Sequence, residues 1–189
     1  EMTSSLVGSE MCIRDRSETK PNETLDIIAP LGRGFTIEKG KKIAFIGGGI
    51  GTPPMLYAAK QADRAVAILG FRGKEQVILT DDFEAVGCEV LLTTDDGSAG
   101  IHGFVTDALA SVIGKIDGIC ACGPNVMLKA VADMAKKHDI PCQVSLEERM
   151  GCGVGACLVC ACKTKKDGKE GYSHVCKDGP VFKAGEVFF

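Results

Sequence analysis

The sequence predicts an α/β fold: a parallel sheet with helices on both faces, followed by a small β-rich module. Three observations predict it. From Lys41 to Ser145, short apolar runs alternate with segments of helical spacing. The first run ends in Gly47-Gly-Gly-Ile-Gly-Thr52, where a strand turns into a helix. After Ser145, cysteines and glycines crowd together and the helical period stops. Strands alternating with helices require a parallel sheet covered on both sides.

The elements follow in order. Residues 1–16 have no clear period and no apolar h-region, so they do not read as a signal peptide. The string from Ser4 to Asp15 resembles translated adapter sequence. We therefore expect 1–16 to be a non-native, disordered leader, with no role for Cys12. In 17–40, Leu25 to Ala29 reads as a strand and Pro30 to Phe35 as a turn-rich segment, with no partner sheet evident. From there, Lys42–Ile46 reads as a buried parallel strand. Thr52-Pro53-Pro54 opens a helix to about Ala62, proline being tolerated in a first turn. Ala65–Leu69, Glu89–Thr93, Asp117–Ala121 and Pro141–Ser145 read as further strands. Asp81–Val86, Phe104–Ile113 and Pro124–His138 read as helices between them. Beyond Ser145, Ala161–Thr164, Tyr172–Val175 and Gly185–Phe189 read as short strands.

Composition narrows the function. With 189 residues, of which 45% are hydrophobic, the chain can bury a core of one large or two small domains. A net charge of −3 gives no basic footprint for nucleic acid. No apolar run approaches membrane-spanning length. Ten cysteines in a small secreted protein would suggest disulfides, but here they fall in metal-binding or buried patterns. A reducing, cytoplasmic compartment fits that usage.

The cysteine pattern carries the chemistry. Cys152, Cys157, Cys160 and Cys176 have C-x4-C-x2-C…C spacing, the plant-type arrangement for a [2Fe–2S] cluster. Two irons need four soft anionic ligands around one small object. Three come from a tight loop and one from a distant return strand. Gly151, Gly153 and Gly155 let that loop bend and aim N–H groups at the sulfurs. A structural zinc site is the alternative, although zinc favours paired C-x2–4-C knuckles. Cys162, sharing a strand face with Cys160, is a competing ligand. A module of this size buries little surface alone, so metal should supply much of its folding energy.

The rim of the sheet holds further candidates. Gly47–Thr52 is placed to meet a pyrophosphate with backbone N–H groups and a helix N-terminus. It is not a G-x-G-x-x-G fingerprint, and no acidic ribose ligand follows the second strand, where Gly70-Phe-Arg72 stands. A glycine-rich packing turn is the alternative. Cys122-Gly123-Pro124 and the Asp95–Gly103 loop fall on the same rim. Alone, they read as a small buried residue at a helix start and as a surface turn. Glu147-Glu148-Arg149 reads as a solvated charge cluster or an interface. His102, His138 and His174 form no ligand pattern and read as surface or turn residues.

Taken together, Gly47–Pro54, Thr94–Ser98, Cys122–Met127, Glu147–Cys157 and Cys176–Phe182 resemble the electron-transfer subunits of dihydroorotate dehydrogenase, within the ferredoxin–NADP reductase superfamily. The resemblance covers about 25–189. It implies a leader at 1–16, a remnant of an FAD-binding β-barrel at 17–40, an NAD-binding α/β domain at 41–146 and a [2Fe–2S] domain at 147–189. It implies that Gly49, Gly51 and Thr52 lie along the NAD pyrophosphate and that Asp95, Gly97 and Ser98 line the cofactor groove. It implies that Cys122 and Gly123 approach the nicotinamide, that Glu147 sits near the flavin, and that Cys152, Cys157, Cys160 and Cys176 hold the cluster. NADH and NADPH both remain open as the nucleotide. The implied partner is an FMN-containing catalytic subunit in a heterotetramer that oxidises dihydroorotate in pyrimidine synthesis. The family's barrel carries an Arg-x-Tyr-Ser motif for FAD. That motif is absent from this sequence, so we expect FAD to bind weakly or not at all. Another NAD(P)H-dependent ferredoxin-type reductase and a zinc-stabilised nucleotide-binding module are the competing readings.

Overall fold

The structure, a computed structural model, describes residues 18–24, 30–166 and 168–189. The expected leader at 1–16, with Cys12, and the expected strand at 25–29 lie outside the described residues. Strands β1 (Lys42–Gly48), β2 (Arg64–Phe71), β3 (Glu89–Thr94), β5 (Gly118–Cys122) and β6 (Cys142–Ser145) are all parallel. With β4 (Ile101–His102) and β9 (Val181–Lys183) they form one sheet in the order β4-β3-β2-β1-β5-β6-β9. The order reverses between β1 and β5, so the crevice for a ligand opens at their carboxyl ends.

Alternation along the central strands explains the two-sided sheet. Ala44 and Ile46 of β1, with Val66 and Ile68 of β2, face one core. Helices α3 (Val105–Val112) and α4 (Asn125–Lys137) cover it with Leu109, Leu128 and Val131. Ile43, Phe45, Ala67 and Leu69 face the other core, under α1 (Thr52–Ala59) and α2 (Thr80–Ala85), which supply Met55 and Phe83. A strand buried on both faces must be apolar throughout, and β1 is from Ile43 to Gly48. The helix α3 begins where the Phe104 N–H donates to Asp107 Oδ2 at 2.8 Å, which satisfies one orphan amide of its first turn.

Three local expectations are corrected. Gly185–Phe189 is not a strand. Ala184–Glu186 forms a 3₁₀ turn, and Val187 makes a single bridge to Thr164. The strand in this region is β9, antiparallel to β6, with Val144 opposite Phe182. Pairing with a distant edge fixes it, and no local period could show that. The edge strand β4 has two exposed residues and was likewise illegible. Residues 30–37 do have partners. The Arg33 N–H donates to the Gly179 carbonyl, the Val181 N–H to the Arg33 carbonyl, and Gln143 exchanges hydrogen bonds with the Thr36 backbone.

The cysteine-rich segment adds a hairpin, β7 (Ala161–Lys166) and β8 (Lys169–His174). Its buried residues Cys160, Val175, Cys176, Phe182 and Ala184 join the same apolar cluster as Val144 and Leu146. The module therefore leans on the sheet's β6 edge for its core.

Candidate functional site

The cysteine loop runs from Gly151 to Cys160 without regular structure, and Cys176 returns to it from the turn after β8. Gly153 and Gly155 hold φ of +73° and +77°, which side chains with a Cβ rarely adopt. This backbone points its amides inward. The Ala156 and Cys157 N–H groups donate to Cys152 Sγ at 3.2 and 3.4 Å. The N–H of Gly155 is directed at Cys176. The N–H groups of Cys157 and Val154, then the Cys157 thiol, lower the Cys152 pKa to about 6, so it ionises readily. Burial, then hydrogen bonding with the Cys160 thiol, raises that of Cys176.

Backbone hydrogen bonds link the four cysteines as two pairs: the Cys157 N–H donates to Cys152 Sγ, and the Val175 N–H, one residue before Cys176, donates to the Cys160 carbonyl. Among the described residues no group of three or more His, Cys, Asp or Glu donors converges on one metal-ion position. A tetrahedral zinc site needs four donors on one point, whereas a binuclear cluster takes two thiolates on each iron. The donor set, its paired arrangement and its inward N–H groups fit a [2Fe–2S] centre. Cys162 stays apart: its thiol donates to the Ser173 carbonyl at 3.5 Å, and burial, with the charge of Glu148, raises its pKa.

The pairs differ in exposure. Cys160 and Cys176 are buried, whereas Cys152 and Cys157 are half-buried among the exposed side chains of Val154, Leu158 and Val159. Cys176 also borders a cavity of about 240 Å³ with Leu31, Leu146, Glu147, Glu148 and Met150. Glu147 thus lines the same cavity as Cys176.

At the sheet's rim, the β1 loop and the β5 end are in contact. A Cβ on Gly51 would strike the Cys122 carbonyl. Gly48 is packed as tightly against Pro124 and Met127. Gly49–Gly51 is a 3₁₀ turn that feeds α1. The Thr52 N–H closes this turn on the Gly49 carbonyl, and its hydroxyl is buried without a hydrogen-bond partner among the described residues. Beside it, burial raises the Cys122 pKa against the opposing hydrogen bond of Ser145, and the charge of Glu147 adds to the rise. Cys122 is therefore a neutral thiol.

The third rim segment is the turn after β3. The Asp95 N–H donates to the Phe71 carbonyl, tying the turn to β2. Ser98 donates its hydroxyl to Asp96 Oδ1 at 2.6 Å and accepts the Lys74 N–H at 2.8 Å. Hydrogen bonds from the Ser98 hydroxyl and N–H lower the Asp96 pKa. Gly97 turns with φ of +71°. Asp95, Gly97 and Ser98 are all exposed at the carboxyl end of β3. The structure thus brings Gly48 and Gly51 against Cys122 and Gly123, while Gly49 faces open space and Thr52 packs against Gly47. The Asp95–Ser98 turn stands two strands away on the same rim.

The sequence reading took in Cys176 to Phe182 but gave Asp178 no role. His174 ends β8 at the turn that carries Cys176 and is half-buried, with Nε2 enclosed and unpartnered among the described residues. The Asp178 carboxylate accepts its N–H at 2.8 Å. Asp178-Gly-Pro is a turn-forming string, a signal that was there to be read.

Residues 147–188 match the model of the iron–sulfur cluster binding domain of dihydroorotate dehydrogenase B. Over 178 residues the chain is 45% identical to the dihydroorotate dehydrogenase B (NAD(+)) electron transfer subunit of Caldanaerobacter subterraneus, covering 93% of this chain and 71% of that one. The subunit of the same name from Bacillus caldolyticus is 43% identical, with 90% and 68% covered. Among solved structures, an NADH-dependent reduced ferredoxin–NADP oxidoreductase studied for flavin-based electron bifurcation superposes with a TM-score of 0.75 at 33% identity. That match covers 93% of this chain and 64% of the other. No helix among the described residues is long and apolar enough to cross a membrane. By sequence, by its cysteine module and by its sheet, the chain belongs to the family of dihydroorotate dehydrogenase B electron transfer subunits.

Proposed function

We propose that the chain carries electrons between NAD and the flavin of a catalytic dihydroorotate dehydrogenase subunit, in the synthesis of UMP. The observation that carries this reading is the linking of Cys152 to Cys157, and of Cys160 to the turn that bears Cys176, on the edge of a nucleotide-type sheet. These four residues would hold a [2Fe–2S] cluster, which when bound supplies one-electron transfer. FAD, a cofactor of this family, matches that to the two-electron chemistry of NADH.

The chain's own residues do the positioning. Gly49, Gly51 and Thr52 set the turn along which the NAD pyrophosphate would lie, at the start of α1. Gly51 lets that turn approach Cys122 and Gly123, which would face the nicotinamide. A thiol kept protonated there does not compete as a nucleophile. Asp95, Gly97 and Ser98 would line the groove beyond β3. Glu147, on the cavity beside Cys176, would stand near the flavin. Residues 41–146 then act as the NAD-binding unit and 147–189 as the cluster unit. The catalytic partner would be an FMN-containing subunit, the assembly a heterotetramer, and the compartment the cytoplasm.

The test is anaerobic reconstitution of the chain with iron and sulfide, followed by assay with a catalytic subunit, dihydroorotate and NAD. The expected result is a brown protein with about two irons and two acid-labile sulfides per chain, whose centre dihydroorotate reduces through the catalytic subunit; NAD reduction follows only as far as FAD binds. A colourless, zinc-loaded protein would defeat the reading.

A further inference from the structure

We propose that Asp178 is the residue that positions the fourth cluster ligand, Cys176, by closing the turn on which that cysteine rides. The inference rests on the cluster reading above and goes beyond it. Cys176 has no regular secondary structure to hold it: β8 ends at His174 and β9 begins at Val181. Its position must come from the turn itself.

Two sets of hydrogen bonds close this turn. The His174 carbonyl accepts N–H groups from Lys177 at 3.1 Å, Asp178 at 2.7 Å and Gly179 at 3.4 Å. In the opposite direction, Asp178 Oδ2 accepts the His174 N–H at 2.8 Å. His174 and Asp178 therefore bond in both directions, and Cys176 sits midway between them. One residue before Cys176, the Val175 N–H donates to the Cys160 carbonyl at 3.0 Å. The same turn is thereby tied to the residue bearing the third ligand. The side chains of His174 and Asp178 are 23% and 32% exposed, and Nδ1 lies 3.7 Å from Oδ2, too far for a strong hydrogen bond. The acceptor oxygen toward the backbone, rather than the ion pair, is the part that closes the turn. Groups that orient a metal ligand in this way typically change metal affinity by about 10–100-fold when removed.

The test compares wild-type chain with Asp178→Ala, Asp178→Asn and Asp178→Glu, each reconstituted anaerobically with iron and sulfide. Iron release to a chelator is followed by loss of visible absorbance, and the reduced centre by electron paramagnetic resonance. Asp178→Ala should release iron about ten-fold faster than wild type and give a broadened resonance spectrum. Asp178→Asn keeps an acceptor oxygen in place and should restore the slow release. Asp178→Glu keeps the charge but displaces the oxygen, so its release should fall between the two. Far-UV circular dichroism of the sheet checks that each variant is folded. Wild-type release rates and spectra in Asp178→Ala would overturn the assignment. If that variant does not fold, wild-type behaviour in Asp178→Glu would overturn it. A wild-type chain that binds no iron or sulfide would instead defeat the cluster reading itself.

Discussion

The sheet of 42–145 and the cysteine loop of 151–179 hold their shapes by different means. In the sheet, Phe45, Ile46, Ile68 and Leu69 are fully buried, and the ladder is regular. Its geometry follows from apolar burial on two faces. In the loop, most side chains are partly or fully exposed, and the backbone is directed by positive-φ glycines and by N–H groups turned toward sulfur. What burial the module has, at Cys160, Val175, Cys176 and Phe182, it shares with the sheet. A region that cannot bury its own surface takes order from a neighbour and from a metal.

Breaking the metal side of that comparison should give the largest effect. Cys176→Ser should abolish the centre, with iron and sulfide near background, while Cys162→Ser should keep about two irons per chain. Metal analysis and visible absorbance of both variants check this. Equal loss in the two would make Cys162 a ligand after all.

Breaking the shared core comes next. Phe182 is 4% exposed and packs from β9 onto the β6 edge. Phe182→Ala should cost about 3–5 kcal/mol by urea unfolding. It should also speed iron release to a chelator, because both regions use this side chain. A stability loss with unchanged iron release would separate the two regions.

Gly51→Ala sharpens the comparison from the sheet side. Its Cβ would meet the Cys122 carbonyl, and backbone cannot swing aside as a flexible side chain does. We expect a loss of about 1–3 kcal/mol from overpacking. Titration calorimetry should show weaker NADH binding, with iron content unchanged.

The smallest effect is in pH. Burial pushes the Cys142 thiol up to about 12, and burial together with the charge of Cys142 does the same for Cys120. In the unfolded chain both would ionise near the ordinary value of 9.0. Between these values the unfolded state holds fewer protons than the folded one. Their contribution to stability is therefore full below pH 9 and falls as pH rises above it. Urea midpoints should decline from pH 8.5 to 10. Alkylation followed by mass spectrometry at pH 7.5 should mark Cys152 of the apo chain first, and Cys120 and Cys142 last. Early labelling of Cys120 would show that the sheet opens.

Much of this protein is legible in its amino-acid sequence. The strand–helix alternation gave each central strand to within a few residues, because β1, β2 and β5 are apolar enough to mark themselves. The C-x4-C-x2-C…C spacing marked the cysteine loop, which falls inside the segment that matches the iron–sulfur domain of the family. Tertiary structure alone decided three matters. It put β9 antiparallel on the β6 edge and stitched Arg33 to Gly179 and Val181, since pairing between distant segments leaves no local period. It turned the Cys162 thiol to the Ser173 carbonyl, which its distance in sequence from Cys160 does not reveal. And it gave Asp178 a task, because an acceptor four residues from its donor becomes a brace only when the turn between them closes.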